Sequence, residues 1–183
     1  MSTSRYDRND TALLVIDPYN DFISEGGKVW ERLRGVAEGN DCIPHMRTIL
    51  TAARNAQLRV FYALHRRYRA GDDESWKYMA PVQKAAWSHK TFEYGSWGGE
   101  IRSEFAPQPD DVVALEHWCS SGFANTDLDL GYDVTMVKDA TADYSDDAMH
   151  AALDVNIPNY ASSVLTTSEL VESLAALVAN DAR

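Results

Sequence analysis

The stretch Ala12–Phe22, ALLVIDPYNDF, decides the fold class. Its apolar run from Ala12 to Ile16 is typical of a buried strand, and Asp17 follows at the carboxyl end of that strand. Open α/β sheets keep their chemistry at the carboxyl ends of the strands. Asp17 is therefore the first candidate catalytic residue, although an Asp directly before Pro18 can also serve simply as a turn residue.

The second informative stretch is Val112–Leu130, VVALEHWCSSGFANTDLDL. A short apolar strand leads into Glu116, His117 and Trp118, and a Ser/Gly turn then leads into a helix. Taken alone, His117 would more often be a core histidine with satisfied hydrogen bonds than a catalytic group. Because both stretches end a strand with polar residues, we expect them to meet at one edge of the sheet.

Strands and helices alternate along the rest of the chain. The predicted strands are Thr11–Asp17, Leu58–Leu64, Asp111–Leu115, Tyr132–Val137 and Ser163–Thr166. The predicted helices are Asp41–Ala56, capped near Asn40 or Asp41, then Ala124–Leu130, Asp146 to about Val155, and Ser168–Ala179, capped by Thr167 or Ser168. This rhythm predicts an α/β fold with a parallel, doubly wound sheet, in a single domain over residues 1–183.

Residues 65–109 form a long segment that is polar and rich in Trp, Tyr and Gly. It predicts a loop insertion with short helices around Trp76–Trp87 and a glycine turn at Gly98–Gly99. Trp87 and Trp97 are candidate substrate-binding residues, because aromatic side chains can form the wall of a pocket. The same loop can equally well form an interface between subunits. The segment opens with the basic cluster HRRYR at 65–69, which could bind an anionic substrate.

Charge and cysteine content narrow the range of partners. The 183-residue chain carries a net charge of −11, which argues against nucleic acid and against an anionic membrane as partners. Cys42 and Cys119 lie far apart in the sequence, and we find neither a signal peptide nor a membrane-length apolar run. These features predict a reduced, cytoplasmic protein without a disulfide.

Three passages together resemble the isochorismatase-like cysteine hydrolase superfamily, which includes nicotinamidases, N-carbamoyl-amide hydrolases and isochorismatases. They are LLVIDPYNDF with Asp17 and Phe22, EHWCSSGFANTDLDL, and GYDVTMVKDATADYS with the following ALDVNIPNYASSVLTT. The resemblance implies a Rossmann-like three-layer fold with strand order 3-2-1-4-5-6, and a homo-oligomer. It also implies a small-molecule substrate, an amide, imide or carbamoyl compound whose C–N bond is hydrolysed by an Asp, a basic residue and a Cys. Asp17 matches the aspartate, His117 falls where many members have Lys, and Phe22 and Trp118 join the candidate substrate-binding residues.

The family nucleophile has no counterpart at its usual place. It follows a fourth strand, yet Leu130 runs directly into Gly131, so one βα unit of roughly 30 residues is missing from the sequence. Either the protein contains the unit and this sequence omits it, or the protein lacks the unit and is an inactive binding or assembly subunit. Alternatively, Cys119 is a substitute nucleophile, close in sequence to His117. Cys42 is expected to serve packing.

Loss of that strand predicts a structural consequence, since the fourth strand is central in the family. The side of the first strand would be open unless the strand at Tyr132–Val137 moved into the gap.

No metal is expected, because His65 is followed by Arg66 and Arg67 rather than by a second ligand. No cofactor is expected either, because the sequence has no nucleotide-binding glycine motif.

Overall fold

A computed structural model describes residues 6–72, 75–114, 116, 132–159 and 161–181. Its strands form two parallel sheets, one of three strands in the order β1-β2-β3 and one that pairs β4 with β5. The strands are β1 (Ala12–Ile16), β2 (Arg59–Ala63), β3 (Val112–Val113), β4 (Thr135–Val137) and β5 (Ser163–Leu165). With helices between the strands, this arrangement confirms the predicted α/β class and its parallel pairing.

Six α-helices accompany these strands in the described residues. They are α1 (Asn20–Ile23), α2 (Trp30–Gly39), α3 (Cys42–Asn55), α4 (Pro81–His89), α5 (Asp146–His150) and α6 (Thr167–Asp181). Helix α5 continues as a π-helix over Ala151–Asn156, and 3-10 turns occupy Trp97–Gly99, Ser103–Phe105, Lys138–Ala140 and Ile157–Asn159. The predicted helix at Ala124–Leu130 lies outside the described residues.

The structure differs from the sequence analysis at two helices. It contains helix α2, which the sequence did not predict because glycines at 35 and 39 and several charges weaken its helical pattern. Helix α6 is capped one residue earlier than expected. The Thr166 hydroxyl accepts a hydrogen bond from the Glu169 backbone N–H, and the Glu169 carboxylate accepts one from the Thr166 N–H, which together form a capping box.

The register between β1 and β2 brings the ends of these strands together. Ile16 lies opposite Ala63, so the residues that follow each strand, including Asp17 and His65, emerge at the same edge. Below that edge the buried apolar side chains of both strands share one core cluster, which also includes Phe92 and Phe105 from the long segment after β2. The segment is thereby packed onto the sheet edge that carries Asp17.

Helices α3 and α6 join the two sheets. Their buried side chains form a second core cluster, and Leu13 of β1 and Val137 of β4 both pack against it. Asp139, which follows β4, accepts hydrogen bonds from the backbone and hydroxyl of Thr167 at 2.8 and 2.9 Å. The C-terminal half is therefore attached to the first sheet through helices.

Within the described residues β1 pairs only with β2, and β4 pairs only with β5. The strand after Tyr132 has thus not moved next to β1, and Ile16 in β1 is 48% exposed. Among the described residues, β1 therefore has no strand on its second side, as the loss of a central strand would predict. No helix in the described ranges is both long and apolar enough to cross a membrane.

Candidate active site

Asp17 lies where β1 ends, with its carboxylate directed toward the end of β2. The backbone N–H of His65 donates a hydrogen bond to Asp17 Oδ1, and the Asp17 N–H donates to the carbonyl of Ala63 at 3.1 Å. Asp17 itself has φ = 51°, in the left-handed region that a residue other than glycine rarely adopts. The strand end is therefore fixed in a strained conformation by contacts with β2, a feature that is common at functional sites.

Burial sets the protonation of Asp17. Desolvation raises its pKa from the ordinary 3.8 to about 7, and the hydrogen bond from His65 opposes part of that rise. A carboxyl group with a pKa near neutrality can both accept and donate a proton at physiological pH. The environment of Asp17 is thus suited to general acid–base chemistry.

Phe92 is the centre of an aromatic cluster beside this carboxylate. Its ring stacks on Tyr19 at a centroid distance of 5.0 Å, and it contacts the rings of Phe22 at 4.5 Å and His65 at 5.0 Å. Like Asp17, Phe92 has a positive φ, here 55°, which is costly for an aromatic residue. Phe22 is therefore connected to Asp17 through three contacts, by way of Phe92 and His65.

The conformation of Phe92 depends on Asp21, a residue that sequence reasoning did not single out. The Asp21 carboxylate is buried and accepts hydrogen bonds from the backbone N–H of Lys28 at 3.0 Å and of Phe92 at 2.7 Å. Gly98 lies against the same carboxylate, because the predicted glycine turn, which the structure confirms, brings the backbone close to it. A second Asp within the quoted motif, four residues after Asp17, was the available signal.

Glu116 joins the ends of β2 and β3. Its carboxylate accepts hydrogen bonds from the backbone N–H of Arg67 at 3.0 Å and from Arg67 Nε at 2.6 Å. Sequence analysis named Glu116 but gave it no role, because its partner is 49 positions away in the chain. The ion pair fixes the first turn of the segment after β2 at the sheet edge.

Tyr19 links this ion pair to the catalytic edge. Its buried hydroxyl donates a hydrogen bond to the carbonyl of His65 at 2.9 Å. Burial and the negative charges of Glu116 and Asp17 raise the pKa of Tyr19, while Arg67 opposes the rise. Tyr19 is therefore a neutral hydrogen-bond donor that holds the backbone of His65 in place.

The imidazole of His65 is neutral at physiological pH because burial lowers its pKa. Its Nδ1 lies 2.7 Å from the carbonyl oxygen of Arg66, and a carbonyl can only accept, so Nδ1 carries the proton. Nε2 is then left with a lone pair. His65 also lines a cavity between the segment after β2 and helix α4.

The predicted tryptophans occupy different places. Trp87, on α4, lines that cavity. The side chain of Trp97 is 55% exposed, and its carbonyl accepts a hydrogen bond from the side chain of Asn20 at 2.8 Å. His117, Trp118 and Cys119 lie outside the described residues, so their roles stay predictions.

Cys42 packs as expected. It is buried in a small cluster with Trp30 and Ala37, and burial raises the pKa of its thiol to about 12. Cys42 is therefore a thiol at neutral pH, not a nucleophilic thiolate.

Among the residues that the structure describes, no three His, Cys, Asp or Glu side chains converge on a point where a metal ion could bind.

Residues 11–130, about two thirds of the chain, match the isochorismatase domain family. The chain belongs to the isochorismatase family. The match begins at the first strand and ends at Leu130.

Solved structures with the same fold include several members of that family. A cysteine hydrolase from Pseudomonas syringae pv. phaseolicola is 22% identical, with a TM-score of 0.73 over 94% of this chain and 95% of the other. An isochorismatase family protein from Desulfovibrio vulgaris is 21% identical, with a TM-score of 0.65 over 94% and 98%. N-carbamoylsarcosine amidase from Thermoplasma acidophilum is 19% identical, with a TM-score of 0.57 over 85% and 95%. At these identities the similarity establishes the fold alone.

Replacing Asp17 by Asn tests whether burial opposes the charge of Asp17. The folded-state pKa of Asp17 is raised to about 7, so between pH 4 and pH 7 the carboxyl is protonated in the folded protein and ionised in the unfolded chain. The stability that the group contributes below pH 4 is therefore lost as the pH rises to 7. Asn has the same shape and cannot ionise. Asp17→Asn should therefore match the parent at pH 4 and exceed its free energy of unfolding by about 2 to 4 kcal/mol at pH 8. Urea unfolding at both pH values measures the difference.

The matched control is Asp110→Asn, at an exposed position in a turn. We expect it to change the free energy of unfolding by less than about 0.5 kcal/mol at either pH. If Asp17→Asn were as neutral as this control at pH 8, the burial of the Asp17 charge would be disproved.

Gly98→Ala tests the contact with Asp21. A Cβ at residue 98 would lie 2.6 Å from Asp21 Cγ, and the carboxylate cannot move without losing its two backbone hydrogen bonds. We expect a loss of about 1 to 3 kcal/mol in the free energy of unfolding. Gly35→Ala is the control, since the space around Gly35 in α2 is open and Ala favours a helix by about 0.5 to 1 kcal/mol. Equal effects of the two substitutions in thermal unfolding would contradict the contact.

Proposed function

We propose that this chain hydrolyses a C–N bond of a small amide, imide or carbamoyl compound, with Asp17 as the group that moves protons. The observation that carries the proposal is the environment of Asp17. Its carboxyl is partly buried at the end of β1, has a pKa near 7, and is held by the backbone of the neighbouring strand. Membership of the isochorismatase family supports the reaction class.

In the proposed reaction the Asp17 carboxylate takes the proton of a cysteine thiol. The thiolate attacks the carbonyl carbon of the substrate, and the C–N bond breaks as the Asp17 carboxyl returns the proton to the departing nitrogen. Water then attacks the thioester, with Asp17 accepting its proton and giving it to the leaving sulfur. His117 would supply the positive charge that holds the thiolate and carboxylate together.

The thiol must come from Cys119 if it comes from this sequence. Cys42 and Cys119 are its two cysteines, and the buried Cys42 has a pKa near 12. Cys119 follows His117 by two positions, and a nearby cation lowers the pKa of a thiol. Cys119 is therefore the candidate nucleophile of the chain as printed.

A second candidate function is that of an inactive family member that binds a small molecule or assembles with other subunits. Two observations favour it. The family match stops at Leu130, before the unit in which the family carries its cysteine. In the described residues, β1 and β4 are also not hydrogen-bonded to each other, so the position of the central strand is not taken by β4.

An amidase assay separates the two functions. Ammonia release is measured from small primary amides and N-carbamoyl compounds, with the parent chain and with Asp17→Asn, Cys119→Ser and Cys42→Ala. The first two substitutions should lower kcat by about 100-fold or more, because each removes a group that reacts, and Cys42→Ala should not. In the parent, kcat/KM should rise with pH to a plateau above the Asp17 pKa of about 7. Unchanged turnover in Asp17→Asn would refute the mechanism.

The intact mass of the purified chain, with a peptide map across Leu130 and Gly131, decides whether the family unit is present. We expect 20.4 kDa, with the two residues joined as printed. A mass about 3 kDa larger, the weight of one βα unit of roughly 30 residues, would contradict this expectation. It would also move the nucleophile from Cys119 into the additional segment.

A further inference from the structure

A small cavity lies between the segment that follows β2 and helix α4, with a volume of about 40 Å³. Three of its lining residues are arginines, Arg66, Arg67 and Arg69, and Gln83 and Trp87 of α4 lie across from them. A cavity needs roughly 10 to 15 Å³ of such volume to hold one water molecule. The cavity therefore has room for a small polar group such as a carboxylate.

Two of the three arginine charges are neutralised within the protein. Arg66 pairs with Asp72, with its guanidinium 2.9 Å from the carboxylate. Arg67 pairs with Glu116 through the contacts described above. These two arginines have their hydrogen-bonding groups engaged by carboxylates of the chain.

Arg69 is different. In the part of the chain that the structure describes, no carboxylate lies within 4.0 Å of its guanidinium. Its contact is with the ring of Tyr94, whose centroid is 4.0 Å from the guanidinium carbon, and the guanidinium of Arg67 lies 4.6 Å from the same centroid. Stacking uses the face of the guanidinium and leaves the N–H groups at its edge available for an anion. Among the described residues, Arg69 is thus the arginine of this cavity whose charge is not paired with a carboxylate.

The cavity is adjacent to the candidate catalytic carboxylate. His65 lines it with its side chain and donates its backbone N–H to Asp17. Because the imidazole is neutral and its Nδ1–H is bound to the carbonyl of Arg66, His65 adds no charge to the cavity. His65 therefore lies between Asp17, the group that moves protons in the proposed function, and the arginine-lined cavity.

We propose that this cavity binds a carboxylate of the substrate, with Arg69 as its charged contact. The inference rests on the proposed function and makes it more specific: the substrate is a small amide or carbamoyl compound that also bears a carboxylate. The reacting C–N group then lies at Asp17, and the anion lies beyond His65. Arg69 would determine substrate preference without taking part in the chemistry.

Calorimetric titration of the full chain with two matched pairs of compounds tests this assignment. The pairs are succinamate with succinamide, and malonamate with malonamide, which differ in carrying a carboxylate or a second neutral amide. The parent should bind each acid at least about tenfold more tightly than its diamide, since only the acid forms a charge-assisted hydrogen bond with the Arg69 guanidinium. Arg69→Gln should abolish this preference.

Two further variants serve as controls. Arg34→Gln removes an exposed arginine of α2 that is paired with Glu38, and it should keep the full preference. Arg69→Lys keeps the charge but not the planar fork, and it should keep part of the preference. Circular dichroism confirms that each variant is folded before it is titrated. Loss of the preference in Arg34→Gln to the same degree as in Arg69→Gln would overturn the assignment.

The outcomes also separate this inference from the proposed function. Equal affinity for acid and diamide in the parent, or no binding of either, would overturn the carboxylate site, whatever the hydrolysis assay shows. A preference for the acids that disappears in Arg69→Gln supports the site. If such a chain released no ammonia from any compound, the site would stand as that of a binding protein, and the hydrolase would be refuted.

Discussion

The pairing of β1 with β2 in parallel register is the constraint on which the site depends. With Ile16 opposite Ala63, the next residues of the two strands meet, and the backbone N–H of His65 reaches the carboxylate of Asp17. A shift of one residue would turn the side chains of one strand to the opposite face and break this contact. The register is fixed by the packing of alternate side chains such as Val15 and Val60 in the core. The geometry of the candidate site is thus a direct result of hydrophobic packing one residue away.

Among the described residues, helices and not strand pairing hold the two halves of the chain together. In the described residues, β4 and β5 pair with each other, and their connection to β1 runs through the packing of α3 against α6. Parallel sheets are normally covered on both faces, and their central strands are buried. The half-exposed Ile16 departs from that pattern in the strand that carries the catalytic candidate. The missing strand neighbour of β1 does not change the local environment of Asp17, because the contacts of Asp17 come from β2.

Sequence reasoning was strongest where local pattern determines structure. The apolar runs predicted the strands, and the position of Asp17 at a strand end is confirmed by the observed β1, Ala12–Ile16. It was weakest where a residue depends on a partner far along the chain. The roles of Asp21 and Glu116 could not be inferred, because their partners Phe92 and Arg67 are 71 and 49 positions away. No local sequence pattern indicates the partners of Asp21 and Glu116, although both residues lie in the stretches that the sequence analysis quotes.

Burial and positive charge affect different residues of the candidate site. The pKa of Asp17 is set by desolvation and by one backbone hydrogen bond, and no arginine is among its causes. The positive charge of the cavity comes from Arg69, which contacts Tyr94 and does not contact Asp17. An anion bound to Arg69 would therefore leave the desolvation that tunes Asp17 in place. Under the proposed function, substrate preference would then vary through residues 65–69 while Asp17 stayed the same.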